Sequence, residues 1–211
     1  MLSLRSEHLQ IICSMDKLSL LSCNVQGLGG QTFPRFKGLL RADLDKANFG
    51  AIDMLLLQEH HMSADKLQSY GSILPGRWIH FWVPTIGPNS RQAGLCMAIK
   101  EQWACIIVST GTILNKRVQF LILQIGPQKT GIINLYASNS PSERASFWIS
   151  LSEYAGLADS WLVGGDFNMI EEASYRRGGS INTITGREAR AWDSFCFSFG
   201  LLDLWNIHSF S

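Results

Sequence analysis

Apolar residues along this chain gather into short runs at two distinct periods. Eight compact runs of five to eight residues predict strands at 18–24, 53–58, 78–83, 94–99, 104–109, 118–125, 131–136 and 161–165. Three stretches carry the longer, helical period. The first, 34–48, puts Phe36, Leu39, Leu40, Leu44 and Ala47 on one face and meets Gly50 shortly after its end. The second opens on Ser140-Pro141-Ser142-Glu143, a capping box with Pro at the first helical position, and turns Trp148, Leu151 and Ala155 inward. The third repeats the device as Thr185-Gly186-Arg187-Glu188 and buries Ala189, Trp192, Cys196 and Phe199 before Gly200. So many strands need one large sheet or two stacked ones. Their arrangement, partly between helices and partly in long consecutive series, predicts an α/β sandwich and not a simple alternating wind. No internal repeat, low-complexity tract or linker divides the chain, so one domain is expected.

Composition narrows the class. With 211 residues, 46% of them hydrophobic and seven Trp, the chain has ample material for a core. Charged residues make up 17%, below the roughly 25% usual for soluble domains, which hints at missing or buried neighbours. A formal charge of +1 gives no bulk attraction for nucleic acid, so a local patch must steer any that binds. The five cysteines are scattered and nowhere spaced as Cys-x-x-Cys, which predicts buried thiols in a reducing compartment, without a disulfide framework or zinc site. The apolar stretch at 9–13 is too brief for a secretory segment, and no run approaches the roughly 20 residues that span a bilayer. The expected location is the nucleus or cytoplasm, neither secreted nor membrane-spanning.

Four polar positions share one habit. Asn24, Glu59, Asn139 and the pair Asp166/Asn168 each follow directly on, or within a few residues of, the end of an apolar strand. If those strands run the same way, their ends gather at one sheet edge, where active sites of open sheets are built. Two carboxylates with carboxamide oxygens suit a hard divalent cation such as Mg2+, which takes one or two carboxylates and keeps waters for a phosphate to displace. Taken singly, each residue has a plainer reading: Asp and Asn after strands form turns, a Gln-Glu pair is solvated, and Tyr136 is a half-buried strand residue. Their occurrence together and in order is what carries weight.

In that order the chain resembles the endonuclease/exonuclease/phosphatase superfamily, most closely the apurinic-type endonuclease domain of plant non-LTR (LINE-type) retrotransposons. The motifs that carry the resemblance are Ser22-Cys23-Asn24-Val25-Gln26-Gly27-Leu28-Gly29, Leu56-Leu57-Gln58-Glu59, Leu135-Tyr136-Ala137-Ser138-Asn139 and Gly165-Asp166-Phe167-Asn168, with a tail at 200–205. It spans 17–205 and implies a four-layer α/β sandwich, two stacked β-sheets flanked by helices, over 17–211 behind an N-terminal extension at 1–16. It further implies that Glu59 ligates the metal, Mg2+ or Mn2+, with Asn24 completing the shell or holding a phosphate oxygen. Tyr136 and Asn139 would contact the scissile phosphate, Asp166 would orient or deprotonate the attacking water, and Asn168 would fix that geometry. His60 and His61 are placed to contact DNA. Arg176, Arg177, Arg187 and Arg190 make the most basic region, with Arg177 a candidate phosphate contact and plain solvation of a loop and helix face the alternative. The implied reaction is a nick in one strand of duplex DNA by a monomer normally fused to a reverse transcriptase.

The family pattern continues beyond these residues to further strands of the second sheet, a supporting Asp and a terminal Ser-Asp-His. On that ground the last strands are expected to be missing, and His208 lies too early in the order to substitute. Acid–base help is worth roughly 10²- to 10⁴-fold, so the chain is expected to be inactive as it stands. Cys23, Gln26, His60 and Ser138 stand where the retrotransposon pattern usually has Trp, Arg, Thr or Ser, and Pro, as in a decayed element. Alternatives are a remnant that only binds nucleic acid, and a phosphatase- or sphingomyelinase-like relative of the same fold.

Overall fold

A computed structural model describes residues 9–12, 18–28, 52–69, 77–85, 94–169, 184 and 186–203. The first sheet contains β1 (Leu9–Ile12), β2 (Ser19–Asn24), β3 (Met54–Gln58), β4 (Trp78–Val83) and β5 (Leu95–Lys100), in the order β1-β2-β3-β5-β4. The second contains β6 (Ile107–Ile113), β7 (Val118–Ile125), β8 (Gln128–Tyr136) and β9 (Ser160–Asp166), in chain order. Among the described strands, only β2/β3 and β8/β9 pair in parallel; every other neighbouring pair is antiparallel. Helices α1 (Ala64–Ser69), α2 (Pro141–Ser152) and α3 (Arg187–Phe199) complete the described elements, with short 3₁₀ turns at Glu101–Ile106 and Ala155–Leu157.

Every residue of β3 is buried because both of its faces are covered. Met54 and Leu56 point between the sheets with Leu20, Met97 and Ile99, against Leu121, Leu123 and Ile132 of the second sheet. Leu55 and Leu57 point to the other face, where Cys23, Leu28, Met62 and Ala98 gather. On the outer face of the second sheet, Val118, Ile133 and Leu135 pack on Trp148 and Leu151 of α2 and on Ala191, Phe195 and Phe199 of α3. Two stacked sheets flanked by helices are thus the architecture that the resemblance implied.

Several elements depart from expectation. The strand expected at 104–109 begins at Ile107 and runs to Ile113, since pairing with β7 extends to Ile113 opposite Val118 while its Ser and Thr positions face solvent. β8 begins three residues early, at Gln128, where it closes a tight hairpin with Ile125. Residues 9–12, which lie ahead of the span of the resemblance, pair antiparallel with β2. Helix α2 starts as expected, but its capping box does not form: Ser140 Oγ meets Ser142 Oγ at 3.1 Å and Glu143 accepts from Ser138 Oγ at 2.6 Å. Helix α3 is capped by Gly186 and ends on left-handed Gly200; its buried stripe is Glu188, Ala191, Phe195 and Phe199, with Trp192 and Cys196 beside it. Thr185 and the helix expected at 34–48 lie outside the described residues.

Four strands share a gradient along their inter-sheet faces, from apolar to polar in the direction of the chain. These read Leu20-Ser22-Asn24 in β2, Met54-Leu56-Gln58 in β3, Ile132-Asn134-Tyr136 in β8 and Leu162-Gly164-Asp166 in β9. Between the sheets Gln58 Nε2 donates to Asn134 Oδ1 (2.7 Å) and Ser22 Oγ (3.1 Å), while Asn134 Nδ2 donates to the Leu57 and Cys96 carbonyls, both 3.1 Å away. Asn134 is fully buried and Gln58 nearly so. We expect Asn134→Leu to destabilise the fold by about 2–4 kcal/mol in urea unfolding, because it leaves buried polar groups of the facing sheet unpaired. A loss below about 0.5 kcal/mol, the range of ordinary surface substitutions, would contradict this role.

Candidate active site

At the polar end of those four strands the side chains meet. Asn24 Nδ2 donates to Asp166 Oδ2 at 2.7 Å, joining the two sheets, and Asn24 Oδ1 accepts the Gln26 N–H at 3.0 Å. Asp166 Oδ1 accepts the Asn168 N–H at 3.0 Å, and Asn168 Nδ2 donates to the Ala137 carbonyl at 2.8 Å. The Tyr136 phenol lies within the electrostatic reach of both the Glu59 and the Asp166 carboxylates. The chain turns abruptly at these ends, with left-handed backbone at Gln26, Glu59, His61 and Asn168 (φ 45°, 54°, 55° and 50°). Such conformations are costly for residues other than glycine and concentrate where surrounding structure enforces a side-chain direction.

Burial first, then the Glu59 carboxylate, then Asp166 push the Tyr136 phenol up to about 12, with Arg117 opposing. Tyr136 therefore stays protonated through neutral pH and can donate to an anionic oxygen. The Arg117 guanidinium lies 6.0 Å from the Tyr136 ring centre, and the Arg117 carbonyl accepts the Tyr136 N–H. Sequence reasoning passed over Arg117, since Lys116-Arg117 before a strand reads as an ordinary solvated turn. The register Val118 opposite Leu135 is what brings it to the site.

His61 and His60 part ways. His61 Nε2 approaches Glu59 Oε2 at 3.4 Å without an aligned hydrogen bond, leaving a shielded ring nitrogen unsatisfied beside the carboxylate. Gly27 makes room for it, as a Cβ there would lie 3.1 Å from His61 Nδ1. His60, by contrast, is fully buried: Nε2 donates to the carbonyls of Val83 (3.0 Å) and Leu95 (3.2 Å), and Nδ1 accepts the Met62 N–H (3.0 Å). The expectation that His60 contacts DNA is therefore corrected. It is a structural knot tying the loop after β3 to β4 and β5.

Burial lowers the His60 pKa to about 4, against backbone hydrogen bonds that raise it. The unfolded chain, with an ordinary value of about 6.5, binds more protons than the folded one between those limits. The stability contribution is therefore complete above about pH 6.5 and is lost as pH falls toward 4, about 3 kcal/mol in all. Urea unfolding from pH 7 to 4 should show this slope in the wild type and a shallower one in His60→Gln. Equal slopes would contradict it.

Asn139 is exposed on the loop after Tyr136; Arg187 and Arg190 are exposed on α3. Arg176 and Arg177 lie outside the described residues. No cluster of three His, Cys, Asp or Glu side chains is present among the described residues. The donor chemistry nevertheless fits a hard divalent cation: the Glu59 carboxylate, a second carboxylate at Asp166, and one remaining lone pair on Asn24 Oδ1. Asn24 is at the same time the group that fixes Asp166.

No curated protein matches this sequence. Among solved structures the chain is similar to the AP endonuclease LMAP of Leishmania major, at 14% identity and a TM-score of 0.65, covering 89% of this chain and 68% of that one. It is similar to the 3′-5′ exonuclease NExo of Neisseria meningitidis, at 15% identity and a TM-score of 0.53, covering 85% and 70%. A third is D. rerio TDP2 complexed with single-strand DNA product, at 17% identity and a TM-score of 0.50, covering 72% and 61%. At these identities the likeness is one of fold. The sequence model of the endonuclease/exonuclease/phosphatase family matches residues 21–206, nearly the whole chain, and with Asn24, Tyr136 and Asp166 closing graded strands and Glu59 just past the end of β3 it makes the chain a member of that family.

Proposed function

We propose that this chain is a divalent-cation-dependent phosphodiesterase that nicks DNA, of the kind encoded by a LINE-type retrotransposon. The observation that carries the reading is the convergence of Glu59, Tyr136, Asp166 and two carboxamides at one end of the sandwich. Asp166 is held by Asn24 on one oxygen and the Asn168 N–H on the other, which fixes the carboxylate plane in which it would orient a water and accept its proton. Tyr136, protonated at neutral pH, donates to a non-bridging phosphate oxygen, and Asn139 and His61 supply further donors at the rim. Mg2+ or Mn2+ held by Glu59 and Asn24 would supply Lewis-acid stabilisation of the phosphate and leaving oxygens. Arg117, and Arg177 beyond the described residues, would balance backbone phosphate charge.

DNA is favoured over small phosphoesters by the Asn24-Val25-Gln26-Gly27-Leu28-Gly29 opening and by the likeness in fold to a protein solved with a single-strand DNA product. The expectation of inactivity rested on a terminal Ser-Asp-His of the family pattern; here the metal is instead assigned to Glu59 and Asn24, the phosphate contacts to Tyr136 and Asn139, and the base to Asp166. No helix among the described residues is long and apolar enough to cross a membrane. The test offers supercoiled plasmid, inositol phosphate and sphingomyelin to the same preparation in Mg2+. Highest kcat/KM on DNA supports the nuclease reading. Faster turnover of a small phosphoester would replace it with the phosphatase-like alternative.

A further inference from the structure

The loop between β8 and α2, residues 137–140, is held from two sides. From the site, the Asp166 carbonyl accepts the Ala137 N–H (2.8 Å) and Asn168 Nδ2 donates to the Ala137 carbonyl (2.8 Å). From behind, Arg144 Nη1 donates to the Ser138 carbonyl (2.9 Å), while Arg144 Nε donates to Glu188 Oε1 of α3 (2.5 Å). Ser138 Oγ donates to Glu143 and accepts the Ser140 N–H at 3.1 Å. Asn139 stands between these anchored residues, exposed.

Arg144 and Glu188 have side chains only 4% and 5% exposed. Burying such a pair is costly, and apolar residues of similar volume often join two helices as well or better. Holding α2 to α3 therefore does not require charge. The pair supplies something else: a guanidinium fixed in orientation by Glu188, with a second N–H aimed at the carbonyl just before Asn139. We propose that Arg144, oriented by Glu188, is a positioning residue that sets the loop presenting Asn139 to the substrate phosphate, acting through the Ser138 carbonyl without touching substrate. This rests on the phosphodiesterase reading of the site.

Arg144→Lys tests it, because Lys keeps a positive charge against Glu188 but lacks the fork that reaches Ser138 at the same time. Arg144→Met/Glu188→Met, which removes both charges together, is the second variant should the first fold poorly. The expected result is faster amide exchange at Ala137 and Ser140 with the β7/β8 amides unchanged. With it should come a fall in kcat of about 10- to 100-fold that exceeds any rise in KM. Adding Asn139→Ala to either variant should cost little more, since Asn139 is already misplaced. Wild-type exchange at Ala137 and Ser140, or a full additive loss on adding Asn139→Ala, would overturn the proposal. Absence of hydrolysis by the wild type would instead sink the phosphodiesterase reading, and the exchange measurement would still decide whether Arg144 sets the loop.

Discussion

Asp166→Asn should lower kcat for DNA hydrolysis by about 10²- to 10⁴-fold, the contribution expected of a positioned base, while KM changes little. The substituted carboxamide can still accept the Asn168 N–H through its oxygen, but it presents an NH₂ to Asn24 Nδ2, where a carboxylate oxygen now accepts a 2.7 Å bond. Losing that one bond should cost about 1 kcal/mol of stability, far less than the effect on rate. Single-turnover rates and urea unfolding of the same preparation separate the two. A variant with wild-type kcat would exclude Asp166 as the base.

Gly165→Ala should prevent stable folding. A Cβ at Gly165 would lie 2.1 Å from the Leu135 carbonyl oxygen and 2.7 Å from the Leu135 nitrogen, and the backbone there has a φ of 145°. The clash is with backbone, so no rotamer relieves it, and the parallel pairing of Leu135 with Gly165 must open. A loss of about 4 kcal/mol or more is expected, enough to unfold a marginally stable domain. Gly156→Ala, where an added Cβ meets nothing within 4 Å, is the control and should fall within about 0.5 kcal/mol of wild type. Comparable stability of the two variants by circular dichroism and urea titration would contradict the close β8/β9 approach.

What could be read from sequence was whatever a strand end or an apolar period makes local. Leu55, Leu56 and Leu57 announce a buried strand, and the abrupt stop at Glu59 marks its end. Asp166 follows Gly165 for the same local reason, and Gly200 shows the end of α3 because only a left-handed residue closes it. Partners set by register or by packing between sheets were not legible. Asn134 sits amid Ile132, Ile133 and Leu135, where nothing nearby indicates that Gln58 of the other sheet faces it. Glu188 looked like half of a capping box, yet its partner is Arg144, 44 residues away on another helix. His60 looked like a neighbour of Glu59 able to reach outward, but left-handed backbone at Glu59 and His61 sends consecutive side chains to opposite sides of the chain.

The central claim is that Glu59 and its neighbours hydrolyse phosphodiesters with a divalent cation. Nicking of supercoiled plasmid by the wild type and by Glu59→Gln, purified identically and assayed in Mg2+ and in EDTA, tests it most directly. We expect nicking by the wild type in Mg2+ alone, reduced on the order of 10³-fold or more in Glu59→Gln and absent in EDTA. Equal nicking by both proteins, nicking that survives EDTA, or none by a folded wild type would contradict it.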